Sequence, residues 1–451
     1  MKTTYINRII LSLLTIVLIS CADNLNLEPE QSLTPDAATG NEKNIQNILT
    51  GAYDLAGQGE LYGGQIYLIS ELLANDGEIF WGGTFSQPGE FNRKRITTTN
   101  SFVADLWIEG YETINQANIV LDNLNVVTED SDKNRMEGEA KFIRGMMYFE
   151  LVRFFAQPYE TTQANDGLGV PIVLNSVTDA SQIEFPSRST ISEVYSQAIN
   201  DLTDAYNLLP ESNEEFADKY TAEALLARIY LQQGNYPAAR DAANDVIENS
   251  GHVITATYEG AFNNEFNSTE DILAWQVTAQ DGINDMNTYW STREFGGRSL
   301  TADVSIEPPY FDYFTVPDDR MNFFYEGNGT DVTTKWQAQF ANVLFIRVAE
   351  MHLIRAESNF REGTSVGMSA EDEINAIRTR ANADPIPGIT LQDILDERKR
   401  ELAFEGFAIH DIKRLHLNMD DLPYNDESLV LPIPQRDIDT NDNLEQNPGY
   451  N

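Results

Sequence analysis

The stretch Lys219 to Gly251, KYTAEALLARIYLQQGNYPAARDAANDVIENSG, constrains the fold more than any other part of the chain. It reads as a helix, a glycine stop at Gly234, a two-residue turn, and a second helix with Pro237 inside its first turn. Proline is tolerated there because its missing N–H is one of the unpaired donors of a helix start. Small Ala239 and Ala243 fall where the two helices cross, so the pair can approach closely. A related pair follows at Val348 to Arg361, stopped by Gly363, and Ser369 to Asn382. One hairpin cannot bury its own apolar face and needs neighbouring helices to cover it. The sequence supplies them. Ile45, Ile48, Leu49, Ala52, Tyr53 and Leu55 share a helical face, as do Leu106, Tyr111, Ile114, Ala117, Val120, Leu121 and Leu124. Glu137 to Phe155 makes a third run, rich in aromatics, and Val194 to Leu209 a fourth, ended by Pro210. The hairpins are degenerate and separated, which predicts a mainly α fold of scattered helix pairs and not a uniform solenoid.

Two regions break this rule. Residues 76–104 are rich in Gly, Ser, Thr and aromatics, and residues 252–345 mix short β-branched runs such as Ile272 to Val277 with turn-rich loops. Long irregular loops on a helical scaffold are where binding function concentrates.

The N-terminus carries a different signal. Lys2 and Arg8 precede Ile9 to Ile19, an apolar run too short to span a bilayer. It closes on Leu18-Ile19-Ser20-Cys21, a pattern resembling a bacterial lipobox, and Cys21 is the only cysteine of the chain. The expectation is a signal peptide at 1–20, a lipid on Cys21, a flexible polar tether over 21–40 and one folded body over 41–451. Each buried methylene of such a lipid contributes roughly 0.8 kcal/mol to anchoring. With the one thiol committed to lipid no disulfide is available, so stability rests on packing. Thirty Lys and Arg stand against 71 Asp and Glu, a net charge of −41. That field repels polyanions, so nucleic acid is a poor ligand, and acidic glycans are disfavoured unless a local basic pocket overrides it.

Several longer motifs then point one way. They are Leu25-Asn26-Leu27-Glu28-Pro29 behind the lipobox, and Glu139 to Gly145 running into Tyr148 to Phe155. They continue through KYTAEALLARIYLQQGNY, Arg347 to Glu357, and Asn375 to Ala381. Glu397 to Gly406 with Asp411 to Arg414 comes next, then Leu431-Pro432-Ile433-Pro434 with Gln446-Asn447-Pro448-Gly449-Tyr450. In this order they resemble the SusD/RagB family of Bacteroidetes surface lipoproteins, for which the chain is short. The resemblance implies a mainly α SusD-like fold with tetratricopeptide-like hairpins and a loop-rich region with a few short strands. It implies a non-catalytic protein that captures oligosaccharides at the outer membrane, facing outward, and delivers them to a SusC-like TonB-dependent transporter. Peptide capture by the same scaffold is the alternative, and a lipid-anchored glycoside hydrolase a more distant one.

The residues give little support for catalysis. In ERKRELAFEGFAIHDIKR (397–414), Glu401 and Glu405 fall one turn apart on one helix face, whereas glycosidase carboxylates face each other across a substrate. An ion-pair network between helices explains the run better. His252, His352, His410 and His416 show no HExxH spacing, and there is no GxSxG elbow and no phosphate-binding glycine loop. No cofactor is called for. Structural calcium stays open, because acidic loops such as Asp318-Asp319 offer oxygen ligands without an EF-hand pattern.

Sugar binding asks for aromatic rings against pyranose C–H faces and for Asp, Asn and Arg at the hydroxyl rim. Trp107 and Trp275 read as core, and Trp336 fits either role. Trp81 in GEIFWGG and Trp290 in NTYWSTR fall in loops with no period to bury them, which makes them the expected stacking platforms. Asn75, Asp76, Arg93, Tyr289 and Arg293 are the expected polar or flanking contacts.

Overall fold

The computed structural model describes residues 35–419 and 421–450. The signal peptide, Cys21 and most of the expected tether lie outside the described residues.

In chain order the first helices are α1 (Pro35–Thr39), α2 (Glu42–Gly57) and α3 (Gln65–Leu73). Strand β1 (Ile79–Trp81) follows, then α4 (Ser86–Asn92), α5 (Ser101–Asp122) and α6 (Asp130–Phe155). Helices α7 (Ile191–Leu208), α8 (Lys219–Gln232) and α9 (Tyr236–Asn249) come next. The irregular stretch holds β2 (Asp271–Trp275), α10 (Asp285–Trp290), β3 (Val304–Ile306), α11 (Pro308–Phe311), β4 (Phe324–Glu326), β5 (Asp331–Thr333) and β6 (Val343–Arg347). The chain finishes with α12 (Val348–Glu362), α13 (Ala370–Arg380), α14 (Leu391–Glu401), α15 (Ala408–Leu415) and α16 (Gln435–Thr440). Residues 35–39 of the expected tether are thus helical, and the Ala37 carbonyl accepts from Asn44 Nδ2 at 2.8 Å.

Both expected hairpins form where their punctuation places them. The Asp218 carboxylate caps α8, and the chain leaves that helix through Gly234 at φ +69°, a conformation side-chain-bearing residues avoid. Asn235 caps α9, Pro237 sits in its first turn, and Ala239 and Ala243 are buried against α8 and α12. The second hairpin, α12 and α13, turns at Gly363 (φ +64°) and restarts on the Ser369 cap.

Helix α6 is the centre of the scaffold and is buried almost all round from Phe142 onward. Each large apolar side chain so enclosed is worth about 1.5–3 kcal/mol. Its neighbours α5, α7 and α2 cover it. At Gly145 a Cβ would lie 3.0 Å from the Ala198 carbonyl of α7, so glycine sets that approach. One residue before it, Arg144 makes a bidentate pair with Asp201 of α7 (2.8 and 2.7 Å). The C-terminal motif closes over the end of α6: Leu431 N donates to Phe154 O, and Asn447 Nδ2 donates to Phe155 O and Leu431 O.

The run 397–414 forms the ion-pair network expected of it, with partners drawn from distant segments. Buried Arg347 at the end of β6 donates to Glu401 (2.7 Å) and Glu405 (2.8 Å), and also meets Glu270. Arg380 also binds Glu401. Glu397 takes Arg320 (2.6 Å), Arg378 (2.9 Å) and Arg400 (2.9 Å). Buried charges cost several kcal/mol each unless geometry and hydrogen bonds compensate them, and here every carboxylate is met by more than one guanidinium or ammonium.

The strands form a four-stranded antiparallel sheet in the order β1-β3-β5-β4 and a separate β2-β6 pair. Trp275 of β2 stacks on Tyr62 (centroids 5.5 Å, 19°), and Trp107 packs on Phe155, so both serve the core as expected. Trp336, open on sequence grounds, is buried with its Nε1 donating to Phe404 O.

A candidate ligand-binding face

Register decides what the two loop regions present. Ile79 pairs with Ile306 and Trp81 with Val304, which lays residues 82–85 beside residues 291–303. Gly82 N donates to Asp303 O at 2.8 Å. At Gly83 a Cβ would stand 2.4 Å from the Trp81 ring, so only glycine lets the loop fold back over that side chain.

The expectation that Trp81 and Trp290 are exposed platforms is corrected. Side chains alternate along a strand, and in β1 Ile79 and Trp81 point inward while Phe80 points out. Trp81 is only 7% exposed, lies against Tyr289 (centroids 6.2 Å), and donates from Nε1 to Phe85 O at 3.2 Å. Trp290 is 0% exposed at the end of α10, its ring 5.2 Å from Phe404. Neither offers a free ring face. Tyr289 is buried as well, between Trp81 and Phe102.

The exposed aromatics next to the Trp81 loop are Phe80 (55%) and Phe85 (44%), which the sequence pattern does not single out. The Arg298 guanidinium lies 3.7 Å from the Phe85 ring centroid. Thr84 Oγ1 (2.7 Å) and the buried Asp303 carboxylate (3.0 Å) hold it there. Arg293, exposed, donates from Nη2 to Arg298 O at 3.0 Å. Arg93 is exposed at the C-terminal end of α4; a Cβ on Gly89 would lie 2.9 Å from its Nη1 and 3.5 Å from the Trp81 ring. Of the expected set, then, Tyr289 packs on Trp81, Arg93 stands near that ring across Gly89, and Arg293 is tied to the Arg298 backbone. Asn75 and Asp76 precede β1, and Asn75 Nδ2 donates to Asn92 Oδ1 at 2.6 Å, one residue before Arg93. Asn75 Oδ1 accepts from the N–H groups of Gly77, Glu78 and Ile79, so its amide builds the turn into the strand. Asp76 is exposed on that turn.

A cavity of about 230 Å³ opens beside that turn, lined among others by Glu71, Glu78, Tyr313, Lys399 and Phe404. Tyr313 donates to Glu78 at 2.7 Å, and Lys399 Nζ donates to the Tyr313 oxygen at 2.9 Å. Burial pushes the Glu71 carboxyl up to about 7, against the opposing pull of the Gly406 N–H that it accepts.

The carboxylates weighed as a catalytic pair are unsuited to acid–base work. Burial alone would raise Glu401 and Glu405, but Arg380, Arg347 and Arg320 around the first and Arg347 and Lys335 around the second outweigh it and hold both below the usual carboxylate range. A general acid needs the opposite shift. Asp318, considered for calcium, spends both oxygens on Arg320 (2.8 and 2.7 Å).

Known proteins share this architecture. A family model described as starch-binding, associating with the outer membrane, of the SusD-like group, matches residues 23–231, and the SusD family model matches residues 197–417. The SusD-like protein P2 of Formosa agariphila is 25% identical, the match covering 97% of this chain and 98% of that one. The starch-binding protein SusD of Bacteroides thetaiotaomicron is 24% identical over the full length of both. A crystal structure described as a putative sugar binding protein from Bacteroides vulgatus superposes with a TM-score of 0.80 at 25% identity, covering 94% of this chain and all of the other. A SusD superfamily structure from Bacteroides thetaiotaomicron gives 0.78 at 24%, covering 92% and 100%. Helical scaffold and both sequence matches, which together span residues 23–417, agree, and the chain belongs to the SusD/RagB family.

Proposed function

We propose that the protein is a non-catalytic glycan-binding lipoprotein of the outer membrane, which captures oligosaccharides and passes them to a SusC-like TonB-dependent transporter. The observation that carries the reading is exposed Phe85 with Arg298 clamped across its ring. Aromatic faces take the C–H surface of a sugar, and a fixed guanidinium takes its hydroxyl oxygens. Trp81, Tyr289, Arg93 and Arg293 support and flank that surface; Asp76 precedes β1. The signal peptide at 1–20, the lipid on Cys21 and the tether that follows supply the membrane attachment, with the folded body from residue 41 onward facing the exterior.

The test is affinity electrophoresis against a panel of polysaccharides. Phe85→Ala and Arg298→Ala are each expected to weaken retention about tenfold, the equivalent of roughly 1.4 kcal/mol. Unchanged retention in both overturns the assignment of this face, and turnover of any labelled glycan overturns the non-catalytic reading. Binding of peptides in place of glycans would favour the alternative import role. Loss of membrane retention in Cys21→Ser and removal of the body by protease on intact cells check the anchor and its outward side.

A further inference from the structure

Arginine in this chain is almost wholly spent on carboxylates. Among the described residues the arginines without an acidic partner are Arg93, Arg95, Arg188 and Arg293. Arg188 is buried, and its donors are taken by the carbonyls of Gly169, Glu445, Phe155 and Leu168 and by Asn447. The other three are exposed: Arg93 and Arg95 follow α4, and Arg293 lies between α10 and β3. Arg93 stands beside Trp81, Arg95 follows two residues on, and Arg293 is bonded to the backbone of Arg298. In a protein with 71 acidic residues, leaving these guanidiniums unpaired is informative.

Two of the acids nearby are held by other groups. Glu90 is engaged by Thr97 and Asn100, and Asp303 by Arg298 and Ser299. Asp285 packs against the Gly59–Gly64 turn at the first residue of α10. Glu294 is the exposed acid next to Arg293 in sequence.

We infer that the ligand taken by this face is an anionic glycan, carrying carboxylate or sulfate groups that Arg93, Arg95 and Arg293 bind while Phe85 takes a ring face. This rests on the proposed glycan-binding role and names its substrate class. The net charge of −41 repels such a ligand at long range, but the Debye length is about 8 Å at physiological salt. Contact pairs within that distance therefore set the affinity, and a guanidinium matches the bidentate geometry of both anions.

The experiment measures binding of the mature chain to polygalacturonate, to a sulfated galactan, and to neutral amylose and laminarin, at low and high salt. The expected result is preferential binding of at least one anionic polymer, lost at about 1 M salt, where the Debye length falls to about 3 Å. The triple variant Arg93→Gln, Arg95→Gln, Arg293→Gln is expected to lose that binding by more than about tenfold. The corresponding lysine variant recovers part of it, and Lys43→Gln on α2 leaves it unchanged. Equal or better binding of neutral glycans, unaffected by the triple variant, overturns the anionic assignment while leaving glycan capture standing. Absence of binding to every glycan, charged or neutral, overturns the glycan-binding role and this inference with it. The carboxylated and sulfated arms separate the two anions.

Discussion

Arg347 and Arg293 are the same side chain put to opposite uses. Arg347 is buried, with Glu270, Glu401 and Glu405 around it, and it joins the end of β6 to the segment after α14. Arg293 is exposed, has no acidic partner, and is fixed only through a backbone carbonyl. The first region uses charge to hold a shape and the second keeps charge in reserve. The donors of Arg293 are open to an anion as those of Arg347 are not, so unpaired exposed arginine is a guide to anion binding in so acidic a chain.

The sharpest way to break this contrast is at Arg347. Arg347→Ala leaves three buried carboxylates short of a cation and is expected to cost about 3–5 kcal/mol in denaturant unfolding. A loss below about 1 kcal/mol would mean that the lattice is not what holds this region together. Trp290→Ala comes next. As an enclosed side chain it is expected to cost about 3–5 kcal/mol of stability through a cavity, with its effect on glycan binding following only from unfolding.

Titration separates the regions by sign. Glu357, Glu397, Glu401, Glu405 and Asp411 are held below the ordinary carboxylate range: burial would raise them, and the arginines around them more than offset it. Their contribution is present above their unfolded values and is lost as pH falls through the lower folded ones. Glu71 runs the other way. Its folded value of about 7 lies above the unfolded one, so its contribution is full in acid and is lost as pH rises toward and through neutrality. Glu71→Gln is expected to raise stability at pH 8 by roughly 2–3 kcal/mol and to have little effect near pH 4, read from melting temperature against pH. The smallest stability effect belongs to the loop face: Phe85→Ala is expected to change unfolding by less than about 0.5 kcal/mol while weakening glycan retention.

What the sequence made legible follows the same division. Gly234, Pro237, Gly363 and the caps Asp218 and Ser369 act locally, within a turn of the helix ends they set, and both hairpins were readable from them. The density of charge at 397–414 was readable too, but not that its partners include Arg320, Lys335 and Arg347, which arrive through tertiary folding. The binding face was the least readable part. Three residues, Ile79-Phe80-Trp81, are too short to declare a period of two, so the buried Trp81 was chosen over its exposed neighbour Phe80. Arg298 gave no local signal, because its position over Phe85 depends on the pairing of β1 with β3. The chemistry of Arg93 and Arg293 is legible in the sequence, whereas their exposure and lack of an acidic partner are properties of the tertiary fold.

That short ladder has a kinetic consequence. Ile79 meets Ile306 only after the intervening chain, including α5 to α9, has been gathered in, and closing so long a loop is entropically unfavourable until the scaffold contacts offset it. The face exists in neither half of the polypeptide alone. The proposed face is therefore complete only once the two distant loop regions have been brought together.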